Sequence, residues 1–422
     1  MIANMRKTYN EFPRNFWVLM GATFIDRVGG ALIFPFFALY VTQKFNVEMV
    51  EVGILFLIFT ISGMVGSFIG GALTDKFGRR WMMIFGLVVS ALSSISMALV
   101  AELTVFYALG ALVGFLGSAG GPAQQAMVAD LLPEDRRIEG YGIQRVVFNL
   151  AVAIGPAIGG LLAAWSFLAL FIIDAITSVI TAVIVYRVLP ETKPERKAGE
   201  EEESMLQTMG GYGKVFRDKL YIAYLLVGTL LGLVYMQMYS TLSVYLRDEY
   251  GYPPWGYGYI LALNAAMVVA LQFWFTRRIK NRPPMLVMAV GAIFYMVGFA
   301  MYGFVSTYIL FMLAMVIITV GEMVISPMAQ TLIAKFSPEN MRGRYMAISG
   351  FTLFAIPSAV GPLMAGLVMK YYDPRWVWWG GGIIAIFAVA GYLWLHSHAG
   401  ERLGAMTATH SDPSAAASEA AA

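Results

Sequence analysis

Twelve apolar stretches, each close to the ~20 residues that carry a helix across the hydrocarbon core of a bilayer, dictate what this chain can fold into. They run over residues 15–41, 51–74, 81–100, 105–131, 141–164, 167–188, 219–246, 255–276, 284–304, 308–335, 344–370 and 377–397. With 59% apolar and only 13% charged residues, the chain has about half the charged share of a soluble domain. The expected fold class is an all-α membrane protein of twelve transmembrane helices. The first stretch is too long for a signal-peptide core and follows Arg6, Lys7 and Arg14, so it reads as an uncleaved span. There is no cysteine, and His396, His398 and His410 lie at or beyond the last span. No disulfide, no metal site and no catalytic histidine is therefore expected. The net charge of +3 is small and sorted by side of the membrane, which implies no nucleic-acid partner.

One stretch occurs twice. After Gly117 come Gly121-Pro122, an apolar span closing on Asp130, Pro133-Glu134, Arg137 and Gly155-Pro156-Ala157-Ile158-Gly159-Gly160. After Gly321 come Ser326-Pro327, Lys335 in place of Asp130, Pro338-Glu339, Arg342 and Gly361-Pro362-Leu363-Met364-Ala365-Gly366. The first prolines and the turn prolines register at an offset of 205, the final Gly-Pro at 206, and at 205 Tyr40 meets Tyr245 and Gly53 meets Gly258. A period near half the length marks a duplicated chain, here two pseudo-symmetric bundles of six helices, as in transporters with parallel repeats. The expected domains are 1–190 and 219–400, joined by a solvated linker over 191–218 that carries Glu200 to Glu203 and Gly210-Gly211, with a disordered tail over 401–422.

An even number of spans puts both termini on one side. The terminal segments and the loops on their side hold 23 of the 29 basic residues, against Lys44, Arg247, Lys370 and Arg375 opposite, so that side is expected to be cytoplasmic. Tyr371, Tyr372, Trp376, Trp378 and Trp379 cluster where a span meets headgroups, as interfacial anchors do.

Between spans 2 and 3 the chain reads Gly71-Ala72-Leu73-Thr74-Asp75-Lys76-Phe77-Gly78-Arg79-Arg80. A tight turn needs glycine, and Asp75 is placed to cap the next helix and to hold Arg79 or Arg80. This spacing resembles the signature loop of the major facilitator superfamily, and the resemblance extends over the chain. It implies a latch in which Asp75 and the arginines pair with an acid at the end of span 4, here Asp130. The second-half loop, Arg277-Arg278-Ile279-Lys280-Asn281-Arg282-Pro283, keeps the charge and loses the pattern. On span 5, Ala151, Gly155 and Gly159 recur every four residues beside Pro156, which lets another helix approach closely. The string Gly155-Pro156-x-x-Gly159-Gly160 also resembles the span-5 motif of proton-coupled antiporters, chiefly drug exporters, with Ala151 in place of its first glycine. Arg145 and Asn149 resemble that family's polar pair. Gly29 and Pro35 resemble its span-1 pattern, with Ala38 where a second proline is expected. On span 4, Gly110 stands where many proton antiporters carry an arginine.

A charge at mid-bilayer costs ~3 kcal/mol on insertion scales, so each ionisable residue there must be paired, protonated or facing water. Asp26 and Arg27 lie midway along span 1 but point about 100° apart, which gives them different partners. Arg145 is expected as the buried cation that holds a cavity carboxylate, Asp26 first. Glu322 lies midway along span 10 with no basic neighbour within a turn, the setting a reversible proton carrier needs. The surrounding Gly321-Glu322-x4-Pro327-x2-Gln330-Thr331-Leu332 is similar to the span-10 stretch of LmrP-type multidrug exporters, where this glutamate is functional. Asp174 on span 6 is a further proton-coupling candidate. Tyr235, Met236, Met238 and Tyr239 on span 7, with Asn149, are expected to line a substrate cavity, because methionine repacks around many shapes.

These features point to a secondary transporter in a bacterial inner membrane that exports amphipathic, drug-like or cationic small molecules in exchange for protons. The expected partners are that cargo, protons and the lipid bilayer; no cofactor is expected, and a monomer is. A transporter of the same fold with another cargo, a sugar, lipid or metabolite, is the alternative. A membrane-embedded acyl transferase is disfavoured by the lack of an intramembrane histidine and of a Ser-His-acid set. No phosphate-binding Gly-x4-Gly-Lys string occurs, so the driving energy is expected to be electrochemical.

Overall fold

The computed structural model describes residues 11–133, 136–193, 213–279, 281–338 and 341–409. Among them, twelve helices are long and apolar enough to cross a membrane: spans 1 to 6 are Arg14–Phe45, Met49–Phe77, Arg79–Leu99, Leu103–Leu131, Glu139–Trp165 and Phe167–Val188. Spans 7 to 12 are Lys219–Ser240, Pro254–Ile279, Pro284–Tyr302, Tyr308–Ile333, Arg344–Tyr371 and Trp376–His398. The chain is thus a multi-pass, all-α membrane protein with twelve spans. Two boundaries differ from the apolar pattern. Span 7 breaks at Thr241 and a separate helix follows over Leu242–Tyr250, and the helix of span 12 continues to Thr409. Residues 410–422, most of the expected tail, and 194–212, most of the expected linker, lie outside the described residues.

The duplication is legible in the helix boundaries. Arg14 and Lys219, Phe37 and Leu242, Met49 and Pro254, Arg79 and Pro284, Leu103 and Tyr308, and Arg137 and Arg342 each open helices 205 residues apart. Even the break is shared: span 1 is interrupted by a 3-10 turn at Phe34–Phe36, where Pro35 has no N–H to continue the ladder, and span 7 is interrupted at Thr241. The helix of span 5, Arg137–Trp165, has 29 residues. Its counterpart Arg342–Tyr371 is one residue longer and contains a π-helical turn over Phe351–Ala355. A π turn accommodates one extra residue per turn, so the shift of offset from 205 to 206 seen in the sequence is taken up in that turn.

Two compact units can be distinguished. One holds Met1–Glu200, Gln237–Ala266 and Pro362–Tyr371, the other Glu201–Met236, Met267–Gly361 and Tyr372–Ala422. In the first, span 1 packs on spans 5 and 6, span 3 on span 6 and span 2 on span 4. Gly66 faces the Phe115 backbone and Gly70 that of Ala119, the close approach that small residues permit between membrane helices. Span 6 shows the logic of a lipid-facing helix. Ile172, Ile176, Val179 and Val183 are exposed at helical spacing, while Asp174, Ser178 and Thr181 are buried. The polar stripe faces protein because lipid offers it no hydrogen bonds. In the second unit span 9 packs on spans 10 and 12, with fully buried Tyr302 against Phe311 and Trp378, and span 7 sets buried Tyr221 and Tyr224 against Phe336.

Candidate functional site: a charged loop and three intramembrane carboxyls

The loop between spans 2 and 3 draws the expected residues together. Arg79 reaches Asp75 Oδ1 through Nη1 at 3.2 Å and Asp130 Oδ2 through Nε at 3.0 Å. Arg79 is 9% exposed, while the side chains of Asp130 and Asp75 keep 21% and 73% of their surface, so the pair with Asp130 is half-buried and Asp75 stays largely solvated. Arg80 donates to the Tyr186 carbonyl and stacks over Trp81 and Tyr186. Gly78 turns the chain at φ 97°, a left-handed conformation that favours glycine. Gly71 lies inside the span-2 helix with open space at its Cβ position.

The helix cap is a correction. Asp75 is still inside the span-2 helix, one turn before Arg79, and its carboxylate is turned to that side chain. The orphan N–H groups of span 3 go instead to Glu191: Arg79 N donates to Oε1 at 2.7 Å and Arg80 N to Oε2 at 3.2 Å. The next two residues bind as well. Thr192 Oγ1 donates to Asp130 Oδ2 at 3.1 Å, and Lys193 Nζ to the Lys76 carbonyl at 2.9 Å. Glu191 and Lys193 stay exposed, as a solvated linker has them, yet with Thr192 they strap the loop instead of leaving it. A carboxylate is the favoured occupant of a helix N-terminus.

Inside the membrane, Asp26 and Arg27 do serve different partners. Asp26 Oδ1 accepts from Ser178 Oγ at 3.0 Å, and that hydroxyl is 3.1 Å from Ser90 Oγ. Asp174 accepts from Ser94, and Thr177 bonds the Asp174 carbonyl at 2.8 Å. Spans 1, 3 and 6 thus share a small network of two carboxyls and three serine hydroxyls. Gly29 makes it compact: a Cβ there would lie 2.1 Å from Thr177 Oγ1 and 2.7 Å from Asp174 Oδ1. Arg27 donates to Gln124 Oε1 at 3.4 Å and lies 4.4 Å from the centre of the Phe148 ring. Gln124 in turn donates to Thr23 at 2.7 Å.

Arg145 is corrected as a buried cation, because it and Asn149 are exposed. Gln144, Phe148 and Ala151 occupy the inward stripe of span 5, with Gln144 4% and Ala151 0% exposed, and Arg145 and Asn149 sit one residue, or about 100°, around the helix. The motif that follows is a packing surface. Gly155 lies against the Ala31 backbone, Gly159 against the Leu32 carbonyl and Gly160 against Gly258 and the Pro254 carbonyl, and Pro156 is inside the helix.

In the second unit, Glu322 Oε1 accepts from Tyr235 OH at 2.9 Å. The Tyr235 ring stacks on Tyr295, centroids 5.7 Å apart and planes within 8°. Gly321 lies against Tyr295 and the Gly291 carbonyl, which draws span 10 onto span 9. Two expected site residues, one from span 7 and one from span 10, therefore meet. Met236 and Met238 are corrected as cavity residues: they are 5% and 0% exposed and are enclosed by protein, leaving Tyr235 and Tyr239, four residues apart on one face, half-buried.

Residues 19–362 match the family model of the Major Facilitator Superfamily. A Na(+), Li(+), K(+)/H(+) antiporter of Planococcus maritimus is 25% identical, covering 91% of this chain and 96% of that protein. The multidrug resistance protein MdtH of Shigella boydii is 24% identical over 88% and 91%. Among solved structures, the nucleoside transporter NupG is similar at a TM-score of 0.75 with 12% identity, covering 90% of this chain and 100% of that one. A POT family transporter in complex with 5-aminolevulinic acid is similar at 0.73 with 17% identity, covering 90% and 96%.

Proposed function

The chain belongs to the Major Facilitator Superfamily, and from that premise we propose that this transporter exports amphipathic, drug-like small molecules, cationic ones included, in exchange for protons. The observation that carries the reading is Glu322, a carboxyl in the middle of span 10 bonded by the Tyr235 hydroxyl of span 7. At that depth an ionised carboxylate costs ~3 kcal/mol or more, so Glu322 is neutral when occluded and ionises when water reaches it. Tyr235 then supplies a donor to the carboxylate. A proton taken up on one side and released on the other moves one charge, worth ~2.3 kcal/mol per 100 mV. A cationic cargo competes with the proton for the same carboxylate, which couples the two. Asp26 and Asp174, with their serine partners, form a second protonatable group, and Tyr235 and Tyr239 present aromatic faces to cargo.

In this reading Arg79, Asp75 and Asp130 form a latch that favours one state of alternating access, and Glu191 holds it. The protein acts as a monomer in a bacterial inner membrane with both termini in the cytoplasm. The sorting of basic residues supports that sidedness. The test is uptake of a fluorescent lipophilic cation into inverted vesicles under an imposed pH gradient. Accumulation that collapses with the gradient is expected; equal uptake with and without the gradient refutes proton coupling.

A second reading, exchange of monovalent cations for protons, is favoured by the Planococcus relative and by the oxygen-rich network around Asp26 and Asp174. The same vesicles separate the two. Sodium or potassium that dissipates the pH gradient without any drug supports this second reading, and dissipation by drug alone supports the first.

A further inference from the structure

At its charged loop the second half inverts the first. Around Arg79 the first half reads acid, base, acid: Asp75, Arg79 and Asp130 in one cluster. Advanced by 205, those positions are Lys280, Pro284 and Lys335. The base at the centre is gone and the flanking acids have become lysines. Arg277 and Arg278 close the span-8 helix, Arg282 follows, and Lys335 stands at the end of span 10. Spans 8 and 10 are direct neighbours, since Gln272 Nε2 donates to the Met323 carbonyl at 3.0 Å. Asp218, at the start of span 7, is engaged with Tyr221 N at 3.2 Å and Tyr345 OH at 3.0 Å. Among the described residues, no carboxylate is within ion-pair distance of Arg277 or Arg278. Each instead lies over the aromatic ring one turn earlier, Arg277 at 4.1 Å from the Phe273 centroid and Arg278 at 4.5 Å from that of Trp274.

Those rings say what kind of anion belongs here. Phe273 and Trp274 are 67% and 50% exposed in the last two turns of an apolar span, so they face acyl chains just below the headgroup layer. A guanidinium held over a ring face by cation–π attraction keeps outward N–H groups free, and these can bind phosphate oxygens in pairs. We propose that the end of span 8 is a binding site for the phosphate headgroup of an anionic phospholipid. Arg277 and Arg278 grip the phosphate, Phe273 and Trp274 lie along the acyl chain, and Arg282 and Lys335 add to the attracting field. The lipid supplies to the second half the negative charge that Asp75 and Asp130 supply to the first. Free phosphate has no use for the two exposed rings. The inference does not depend on which cargo is carried.

The experiment uses the full chain, purified and exchanged between vesicles of phosphatidylcholine alone and vesicles with added phosphatidylglycerol, with co-purifying lipid measured by native mass spectrometry. Wild type is expected to retain phosphatidylglycerol. Arg277→Gln with Arg278→Gln should lower that retention by about fivefold for each arginine removed, the weight of one basic residue at an anionic surface. Lys214→Gln with Arg217→Gln, which removes equal charge elsewhere on the basic side, should leave it unchanged. Equal loss in both double variants means bulk attraction and overturns the site, as does retention in the arginine variant. Release of the lipid by millimolar inorganic phosphate would show a free-anion site and overturn the lipid assignment. Arg277→Lys with Arg278→Lys keeps the charge and guards against a folding artefact. Intermediate retention is expected, and retention equal to wild type refutes a role for the guanidinium groups beyond their charge.

Discussion

The two halves share a backbone down to the residue at which helices begin, yet they handle charge differently. The first half places polar groups against one another: Asp26 with Ser178, Asp174 with Ser94, Arg27 with Gln124, Arg79 with Asp75 and Asp130. At an offset of 205 the second half has Leu231 for Asp26 and Gly232 for Arg27, while its Glu322 and Tyr235 correspond to Gly117 and Gly30. Neither half repeats the intramembrane acids of the other. A duplicated scaffold therefore fixes where helices lie and leaves the chemistry free to diverge, with one half built from several paired polar groups and the other around one carboxyl with a phenol beside it.

That contrast makes graded predictions. The largest effect is expected at Glu322. Glu322→Gln should still bind and exchange cargo but lose pH-driven accumulation in reconstituted vesicles, with cationic substrates hit harder than neutral ones. If it concentrates a neutral drug as far as wild type, the carboxyls of the first half carry the coupling and the contrast is reversed. Asp174→Asn should slow turnover by about tenfold, ~1.4 kcal/mol of barrier, while leaving the final accumulation ratio intact, as read from the initial rate and the plateau of one time course. A lowered plateau would make the network a second coupling site. Asp130→Asn leaves the buried Arg79 with the Thr74 carbonyl and, as its one acid, the solvated Asp75. Full loss of a buried pair costs ~3–5 kcal/mol, and the remaining partner and nearby water reduce this to ~1–2 kcal/mol, measured as a lower thermal midpoint with slower transport. The smallest effect is expected for Glu191→Ala, which removes one cap worth ~1 kcal/mol. A midpoint unchanged from wild type would show that the strap contributes nothing to stability.

Hydropathy alone located all twelve spans, because a helix in lipid must be apolar for its whole crossing, and the divergence of Asp26 from Arg27 follows from helical geometry alone. The meeting of Glu322 with Tyr235 joined two residues already singled out on separate grounds. The misplaced residues have physical causes. Charge type alone makes Arg145 a partner for a buried acid, but one residue's rotation takes a side chain from Gln144's buried stripe to an exposed one. The flexibility of Met236 and Met238 is as useful in packing as in a cavity. Ser90, Ser94 and Ser178 carried a readable sign, serines at helical spacing in apolar spans 3 and 6. Glu191 carried almost none, since its partners Arg79 and Arg80 are 112 and 111 residues away in sequence.

The wide turn at Phe351–Ala355 is also a record of descent. Two copies of one gene segment that drift apart by substitution stay in step, and six helix starts here are still in step. The one-residue difference between Arg137–Gly155 and Arg342–Gly361 is what a codon gained by one copy or lost by the other leaves when the helix around it is too well anchored to shift. The chain swells for one turn, and everything downstream in that helix keeps its old neighbours at a new number. Any transfer of residue roles between the halves must therefore change its count inside span 11, and a gap placed elsewhere would pair the wrong faces of two otherwise equivalent helices.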